Sequence, residues 1–585
     1  MRTVGIGNQD FETIRSNGYF YIDKTNFIRE WWESGDSVTL VTRPRRFGKT
    51  LNMSMLEKFF SVKYENRGDL FQGLRIWEEK SSDESRSSSE EYKYRKLQGT
   101  YPVLFLSFAG VKENTYAGAR ENICRMIEEQ YNKHDYLPKG NLLNEKEKEF
   151  YQKVTADMPD AAAAVSLRSL SDFLGRYYGK KTIILLDEYD TPMQEAYVNG
   201  YWREMAAFIR GLFNFTFKTN PYLERAVMTG ITRVSKESIF SDLNNLEVVT
   251  TTTNKYADSF GFTENEVFTA LEEYGLPGQK QQVKDWYDGF SFGERRDIYN
   301  PWSIINFLEK KKVGAYWANT SSNSLVGKLI REGSPEIKKS FEQLLCGGSI
   351  RAEIDEQIVY DQLEENEGAV WSLLLASGYL KVKDFQAYLS DFGEWKEEYE
   401  LELTNFEVRV MFRNMVRGWF AAAAWKYNDF IKALLLGDLK AMNTYMNKVT
   451  IEMFSCFDTG KTPSQEEPER FYHGFVLGLM VELADKYVVT SNRESGFGRY
   501  DVVMEPRKQK DGGIVNDAVI LEFKVQDGQE KEPADTAAEA LRQIEEKNYE
   551  ASLIAKGIPG DRIRKYGFAF CGKKVLIDGN RTCRK

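Results

Sequence analysis

The chain has 585 residues, of which 42% are hydrophobic and 29% charged, and a formal net charge of −9 at pH 7. This length exceeds what one hydrophobic core supports, so we expect at least two domains. No apolar run reaches the roughly 18 residues of a membrane-spanning helix, and the N-terminus lacks the apolar core of a secretory signal, so we expect a cytoplasmic protein without a membrane partner. Two histidines and five scattered cysteines argue against a His-rich zinc site and a disulfide framework. Acid–base or metal chemistry is therefore expected from carboxylates and lysine.

Four short and almost continuously apolar runs lie in the first 230 residues. Such runs are typical of strands buried on both faces of a parallel sheet, and helix-like segments separate them here. We therefore predict an α/β fold for residues 1–250, with a parallel sheet sandwiched by helices. The runs are Val38–Val41, Tyr101–Leu106, Thr182–Leu186 and Arg225–Met228.

A basic loop follows the first run and precedes a helix-like segment. The order strand, turn, helix suits a nucleotide phosphate, because backbone N–H groups at the helix start face the anion. Gly48 permits close backbone approach, Lys49 adds a mobile positive charge and Thr50 offers a hydroxyl to Mg²⁺. The pattern G-x-x-x-x-G-K-S/T has glycine where this chain has Arg43, so a basic turn that only caps a helix is the alternative. The predicted nucleotide-binding residues are Arg43, Pro44, Arg45, Arg46, Phe47, Gly48, Lys49 and Thr50.

Acidic residues end the third run, at Asp187 and Glu188. An aspartate at this place can hold Mg²⁺ through water, and the adjacent glutamate can polarise the attacking water. The alternative is a strand end that carries ordinary surface charges. After the fourth run, Arg233 is predicted to sense the γ-phosphate and Thr229 or Thr232 to orient water, although a surface arginine would give the same pattern.

The pattern changes after residue 250. Residues 251–400 predict a helical lid or connecting domain with aromatic-rich turns. Residues 401–585 predict a long helical segment that leads into a second, smaller α/β domain with its core at about 469–585.

Three charged residues mark the strands of this last domain. Asp501 opens one apolar strand, and Glu522 and Lys524 end another; residues two apart on a strand share a face. If these strands pair as a hairpin, two carboxylates and one ammonium converge. Such a cluster can bind Mg²⁺ or Mn²⁺ through Asp501 and Glu522, while Lys524 orients water and stabilises charge on a phosphodiester. The alternative is chance, because E-x-K is common on surface strands.

Several segments resemble a known family, the bacterial AAA-like ATPases that carry a PD-(D/E)XK nuclease-like domain at the C-terminus. The Arg-Pro-Arg-Arg-Phe-Gly-Lys-Thr form of the loop is itself typical of that family, and the acidic cluster is similar to the nuclease core. The resemblance covers nearly the full chain. Its segments are Phe11–Arg15, Tyr21–Thr25, Thr42–Thr50, Leu186–Asp190, Trp286–Phe290, Tyr299–Ser303 and Tyr316–Ser321.

The resemblance implies a P-loop ATPase and a metal-dependent nuclease in one chain. Mg²⁺-dependent ATP hydrolysis would gate or drive phosphodiester cleavage, with DNA the favoured nucleic acid and Gln543 near the nuclease site. Independently of the resemblance, Glu469 and His473 lie four apart on one helical face, and Glu482 lies farther along the same helix, so each is a candidate further ligand. The alternative is that all three are ordinary polar residues of a helix surface. The basic tail from Asp561 to Lys585 is a candidate nucleic-acid surface. A neighbouring subunit could supply an arginine, so a homo-oligomer is expected. The alternatives are an ATP-controlled switch or scaffold whose nuclease-like domain binds nucleic acid or protein without cutting, and a DNA-translocating motor.

Overall fold

The structure is a computed structural model that describes the following residues: 1–79, 92–234, 239–240, 243–318, 324–355, 357–358, 366–390, 392–421, 424–457, 467–495, 498–508, 516–526, 532–571 and 574–579. Within these ranges, only the backbone is described at 233–234, 324, 357–358, 424–425, 451–457, 467–473, 492–495 and 498–500. None of the described helices has both the length and the apolar character to cross a membrane.

The chain forms two compact units. The first contains residues Met1–Ser321 and Ser349–Val408, and the second contains Ser322–Gly348 and Arg409–Lys585. Each unit is therefore built from two chain segments. The three-domain division at residues 250 and 400 stays a prediction.

The α-helices, in chain order, are α1 Phe11–Ser16, α2 Asn26–Ser34, α3 Lys49–Phe60, α4 Arg75–Glu78, α5 Tyr116–Lys133, α6 Tyr136–Lys139, α7 Glu145–Lys153, α8 Asp160–Tyr178, α9 Thr191–Asn199, α10 Trp202–Phe213, α11 Glu264–Glu273, α12 Lys280–Tyr287, α13 Pro301–Lys310, α14 Ser324–Glu332, α15 Pro335–Leu345, α16 Ala369–Ala376, α17 Phe406–Trp419, α18 Ala424–Leu436, α19 Leu439–Phe457, α20 Glu467–Glu482, α21 Pro533–Glu546 and α22 Ala551–Ala555. The strands are β1 Val38–Thr42, β2 Val103–Ser107, β3 Thr182–Asp187, β4 Leu223–Gly230, β5 Arg233–Val234, β6 Leu246–Val249, β7 Phe262–Thr263, β8 Phe290–Phe292, β9 Arg295–Tyr299, β10 Ile350–Ala352, β11 Gln357–Ile358, β12 Leu380–Leu389, β13 Trp395–Leu403, β14 Tyr487–Ser495, β15 Gly498–Pro506, β16 Ala518–Val525, β17 Ile563–Cys571 and β18 Lys574–Gly579.

The first unit is organised around a parallel sheet with strand order β2-β3-β4-β1-β6. Strands β1 and β3 are buried at every residue, as their continuous apolar sequence predicts. Helices α3, α5 and α8 pack on β2 and β3. The predicted α/β fold is confirmed. The loop of residues 43–48, which is the predicted phosphate loop, and the acidic pair Asp187 and Glu188 both lie at the carboxyl ends of central strands.

Two strands of this sheet differ from the sequence pattern. Strand β2 alternates between buried and half-buried residues, because it lies at an edge of the sheet. Strand β6 forms the opposite edge and was not predicted, since it is short and only Val249 is buried.

The middle of the chain is helical, as predicted, but it also contains two small antiparallel sheets. One has the order β7-β9-β8, and the other has the order β10-β13-β12. The predicted aromatic turn at Trp286–Phe290 joins α12 to β8.

The second unit contains a mixed sheet with the order β14-β15-β16-β17-β18. Strands β15 and β16 are antiparallel, with Val502 opposite Leu521, whereas β16 and β17 are parallel. Helix α21 packs on β16 and β17. The predicted second α/β fold is confirmed.

Candidate nucleotide and metal sites

The loop of residues 43–48 joins the end of β1 to the start of α3. Gly48 has a φ of +84°, a conformation that favours glycine, and Arg46 has a φ of +65°. Helix α3 begins at Lys49, so its first N–H groups have no partner within the helix. Among the described residues, no acceptor is found for the backbone N–H groups of residues 45–50. These donors at the positive end of a helix suit an anion.

Lys49 lies inside this loop and is only 6% exposed. Its ammonium donates hydrogen bonds to the carbonyl oxygens of Arg43 and Pro44, each at 2.9 Å. Burial lowers the pKa of Lys49, while nearby carboxylates, Glu188 first among them, act in the opposite direction. The lysine is therefore held beside the acids that follow β3.

Thr50 and Asp187 meet at the first turn of α3. The Thr50 hydroxyl donates to Oδ2 of Asp187 at 2.7 Å, and the Thr229 hydroxyl donates to Oδ1. Asp187 is 1% exposed, and burial raises its pKa. A hydroxyl and a carboxylate in contact beside an anion-binding loop are the oxygen donors that Mg²⁺ prefers, so these residues fit that ion.

Glu188 follows Asp187 with a φ of +51°, which is uncommon for a residue with a Cβ. Its N–H donates to the Thr229 hydroxyl at 3.4 Å, and its Oε2 accepts a hydrogen bond from the Thr191 hydroxyl at 3.4 Å. The side chain is half-buried. The left-handed backbone turns the chain sharply between β3 and α9.

Asp190 is a functional candidate that the sequence reasoning missed. It is 1% exposed and accepts hydrogen bonds from the N–H groups of Ile231 and Thr232, at 2.9 and 3.0 Å, and from the Thr232 hydroxyl at 3.1 Å. It therefore fixes the chain just after β4, where Thr232 is buried. The signal was its place in the segment Leu186–Asp190. Arg233 lies in β5, but its side chain is outside the described residues.

Residues distant in sequence hold the phosphate loop. The carbonyl oxygen of Arg45 accepts hydrogen bonds from Nε1 of Trp317 at 2.9 Å and from Nδ2 of Asn300 at 3.2 Å. The Arg46 guanidinium lies 4.5 Å from the Trp302 ring centre. The backbone N–H of Trp317 donates in turn to Glu407, a buried residue of α17, at 2.6 Å. A chain of hydrogen bonds thus joins the loop to α17.

Asp501 and Glu522 contact each other in the second unit. The N–H of Asp501 donates to Oε2 of Glu522 at 3.3 Å, and the N–H of Phe523 donates to Oδ2 of Asp501 at 2.8 Å. Glu522 is 2% exposed, whereas Asp501 is half-buried. The antiparallel pairing of β15 and β16 brings these two residues together.

Helix α21 covers the two carboxylates on one side. Nε2 of Gln543 donates to Glu522 and, at 3.1 Å, to the Tyr549 hydroxyl. The Lys524 ammonium lies 3.5 Å from Oε1 of Glu539, one helical turn before Gln543. Glu522, Lys524 and α21 therefore lie on the same side of the sheet.

The charges of this cluster are unbalanced. Burial and the neighbouring Asp501 carboxylate raise the pKa of Glu522, while Lys524 acts in the opposite direction. Two neighbouring carboxylates, one of them buried, would be stabilised by a divalent cation. The oxygen donors of Asp501 and Glu522 fit Mg²⁺ or Mn²⁺.

Comparison with known proteins matches a family model at each end of the chain. Residues 5–240 match the family model described as a predicted AAA-ATPase, and residues 467–579 match the PD-(D/E)XK nuclease superfamily. The chain joins an AAA-ATPase-like domain to a PD-(D/E)XK nuclease superfamily domain. It is also 24% identical over 571 residues to a protein of Azotobacter chroococcum mcd 1 described as an uncharacterized protein in vnfD 5'region, with 95% of each chain covered.

In the ATPase-like domain, two of the predicted loop residues point away from the free N–H groups. The buried Arg43 guanidinium donates to the carbonyl oxygens of Thr250 and Lys255, at 2.5 and 3.2 Å, and lies 4.3 Å from the Phe292 ring centre. The Phe47 ring packs against Phe290 and Phe292. We therefore correct the sequence prediction for these side chains, because their contacts hold the loop in shape rather than facing an anion.

A cavity of about 100 Å³ lies beside the loop in the ATPase-like domain. Its walls are largely apolar, and Gly48 and Asn52 connect it to the start of α3. Its apolar walls include Phe47, Leu51, Phe262, Pro301 and Ile305.

In the nuclease superfamily domain, the other predicted ligands are not gathered at Asp501. Glu482 is ion-paired with Arg417 at 3.0 Å, and the side chains of Glu469 and His473 are outside the described residues. The basic tail is largely neutralised where it is described, because Arg562 and Arg564 pair with Asp517 and Lys565 pairs with Glu550. Residues 572–573 and 580–585 lie outside the described part of the chain.

Proposed function

We propose that this protein binds and hydrolyses Mg²⁺-ATP at its N-terminal site and cleaves nucleic acid, DNA in particular, at its C-terminal site, with the nucleotide state controlling cleavage. The carrying observation is that the second unit brings Asp501, Glu522 and Lys524 together beside Gln543, within a chain whose first unit presents a phosphate-binding loop. A cytoplasmic location and a homo-oligomer are part of the same proposal.

At the ATP site, the backbone N–H groups of residues 45–50 and the Lys49 ammonium hold the phosphates. Thr50 and Asp187 would hold the Mg²⁺ ion, which would supply positive charge to the phosphate oxygens. Glu188 orients and polarises the attacking water, and Arg233 contacts the γ-phosphate. The apolar cavity beside Gly48 gives a planar base a place to pack.

At the nuclease site, Asp501 and Glu522 would hold the divalent ion, which would supply a water of lowered pKa and positive charge for the phosphodiester oxygen. Lys524 shares a face with Glu522, so its ammonium can orient that water and stabilise the charge that develops on phosphorus-bound oxygen. Gln543 holds the Glu522 carboxylate in place through its hydrogen bond.

Helix α17 supports the coupling of the two activities. It starts at Phe406 in the first unit and ends at Trp419 in the second, and its residue Glu407 binds Trp317, which in turn binds the phosphate loop. A change in the loop when ATP binds or is hydrolysed can therefore reach an element that belongs to both units.

The test is a nuclease assay on the full chain with single- and double-stranded DNA and with RNA, with Mg²⁺, Mn²⁺ or EDTA, and with or without ATP. We expect metal-dependent cleavage that falls at least a hundredfold in Glu522→Gln and Lys524→Ala, while both variants keep their ATP hydrolysis. Glu546→Gln, an exposed position on α21, is the control and should cleave normally.

Cleavage that is unchanged in both variants would remove the assignment of this site. Metal-independent binding without any cleavage by the wild-type chain would instead favour the second candidate, an ATP-controlled switch whose nuclease-like domain binds without cutting.

A further inference from the structure

Helix α17 carries three arginines at intervals of four residues, Arg409, Arg413 and Arg417. This spacing places them along one side of the helix. The adjoining side of the helix is buried through Val408, Phe412, Val416 and Trp419, among others. The arginines are half-buried or exposed and belong to the second unit.

A fourth arginine lies close to this row. Nε of Arg507 donates to the carbonyl oxygen of Ala484 at 2.8 Å, and Arg507 itself is exposed. Burial lowers the pKa of Arg413, and the positive charges of Arg409, Arg417 and Arg507 lower it further. We call these four arginines the arginine row.

Few acids balance the arginine row. Arg417 pairs with Glu482 at 3.0 Å, with both side chains partly exposed, and the negative charge of Asp485 acts on Arg413. Among the described residues, Arg413 has no ion pair or hydrogen bond, and Nε of Arg409 has no acceptor. Arginines that lie close together repel one another, and a bound anion would relieve this repulsion. The arginine row therefore indicates an anion-binding surface.

We propose that the arginine row binds the phosphodiester backbone of the nucleic acid that is cleaved at Asp501 and Glu522; this inference rests on the proposed nuclease function. The guanidinium groups are planar, permanently charged donors that suit phosphate oxygens. In the described part of the basic tail predicted for this role, Arg562, Arg564 and Lys565 are paired with acids, whereas in the row only Arg417 has an ion pair among the described residues.

The distance between the arginine row and Asp501 would also allow one nucleic-acid strand to contact both. Arg507 follows β15, and six residues along the chain separate it from Asp501. At about 3.4 Å per residue of strand, this separation is roughly 20 Å. A strand of B-DNA advances about 3.4 Å per nucleotide, so roughly six nucleotides lie between the bond that is cut and the row.

The experiment measures binding of fluorescent DNA by anisotropy, with the full chain in EDTA so that nothing is cut. The test variant is R409Q/R413Q/R417Q, and the duplexes and single strands have 4, 8, 12 and 20 nucleotides per strand. For the 20-mers we expect at least a tenfold loss of affinity, and a slope of log affinity against log salt that is shallower by about 2 to 3, because each lost phosphate contact removes about 0.9. The 4-mers should bind both proteins alike, because they do not reach from the site to the row.

Two further variants separate charge from packing. R413K keeps the charge and should keep the wild-type salt slope, whereas K432Q/K440Q/K448Q removes three exposed lysines from α18 and α19 and should bind as the wild type does. Circular dichroism and thermal melting check that all variants fold.

Equal affinity and equal salt slope for R409Q/R413Q/R417Q and the wild type would overturn the proposal and leave the nuclease function standing; the row would then suit an acidic protein. An equal loss in the lysine variant would also overturn it, since the effect would be general charge. If the wild type neither binds nor cuts any of these nucleic acids, the proposed function fails together with the row.

Discussion

Glu188 shows how one backbone conformation can set the chemistry of a site. A left-handed φ costs a residue with a Cβ roughly 1 kcal/mol, so the fold must supply that energy elsewhere. Hydrogen bonds of the neighbouring residues contribute this free energy. Asp187 accepts hydrogen bonds from Thr50 and Thr229, and Asp190 accepts them from the chain after β4. The carboxylates of Asp187 and Asp190 are thus held by several hydrogen bonds, whereas that of Glu188 accepts one among the described residues, from the Thr191 hydroxyl at 3.4 Å.

At the residue scale, we expect Glu188→Gln to bind ATP as the wild type does and to hydrolyse it at least a hundredfold more slowly, because the amide is a poor base for the attacking water. Fluorescent-ATP titration and phosphate release measure the two quantities. Lys49→Ala should lose binding itself, and Glu204→Gln, an exposed position on α10, should change neither. Retained hydrolysis in Glu188→Gln would transfer the water-polarising role to another residue.

The elements around the phosphate loop show what a sequence can and cannot reveal. Strands β1, β3 and β4 were predictable, because each is a continuous apolar run in a parallel sheet. The acidic ends of β3 and β16 were visible for the same reason. The partners of the loop were not, since Asn300, Trp317 and Glu407 reach it only through tertiary structure. Arg43 is the clearest example. Its acceptors, the carbonyl oxygens of Thr250 and Lys255, are more than 200 residues away in sequence, so no local pattern predicts these contacts.

At the element scale, Trp317→Phe removes the Nε1 donor to Arg45 but keeps an aromatic ring among Phe290 and Tyr379. One such hydrogen bond contributes about 1 kcal/mol, so we expect kcat/KM for ATP to fall about fivefold and the free energy of unfolding to fall by about 1 kcal/mol. Steady-state kinetics and urea unfolding measure both. The control is Trp395→Phe, which removes an indole donor on the exposed tip of the β12–β13 hairpin and should leave kcat/KM unchanged. An unchanged kcat/KM in Trp317→Phe would mean that the loop keeps its shape without this bond.

Each of the two units contains a cluster of buried hydrophobic residues among its described residues. A ligand stabilises only the unit whose native state binds it, by about 2.7 kcal/mol at a concentration one hundred times its Kd. Mg²⁺-ATP should therefore stabilise the first unit. In a variant without Lys49, this stabilisation should be lost.

We expect differential scanning calorimetry of the full chain to resolve two transitions, of which Mg²⁺-ATP raises one by a few degrees. Lys49→Ala should abolish that shift while keeping both transitions, and Glu522→Gln should retain it. A single transition, or an equal shift of both, would show that the two units unfold as one.

The second unit is built from two chain segments that are far apart in sequence, so it cannot be isolated by a single cut. Its helices α14 and α15 come from residues 322–348, far upstream of the remainder, yet Phe341 of α15 stacks against Phe412, and Glu342 accepts a hydrogen bond from the buried hydroxyl of Ser491. A fragment that starts at residue 409 would expose apolar surface of α17 and leave Ser491 without its carboxylate. The two units are thus interleaved along the chain, and a folded C-terminal fragment would require residues 322–348 to be joined to it, for example through a circular permutation.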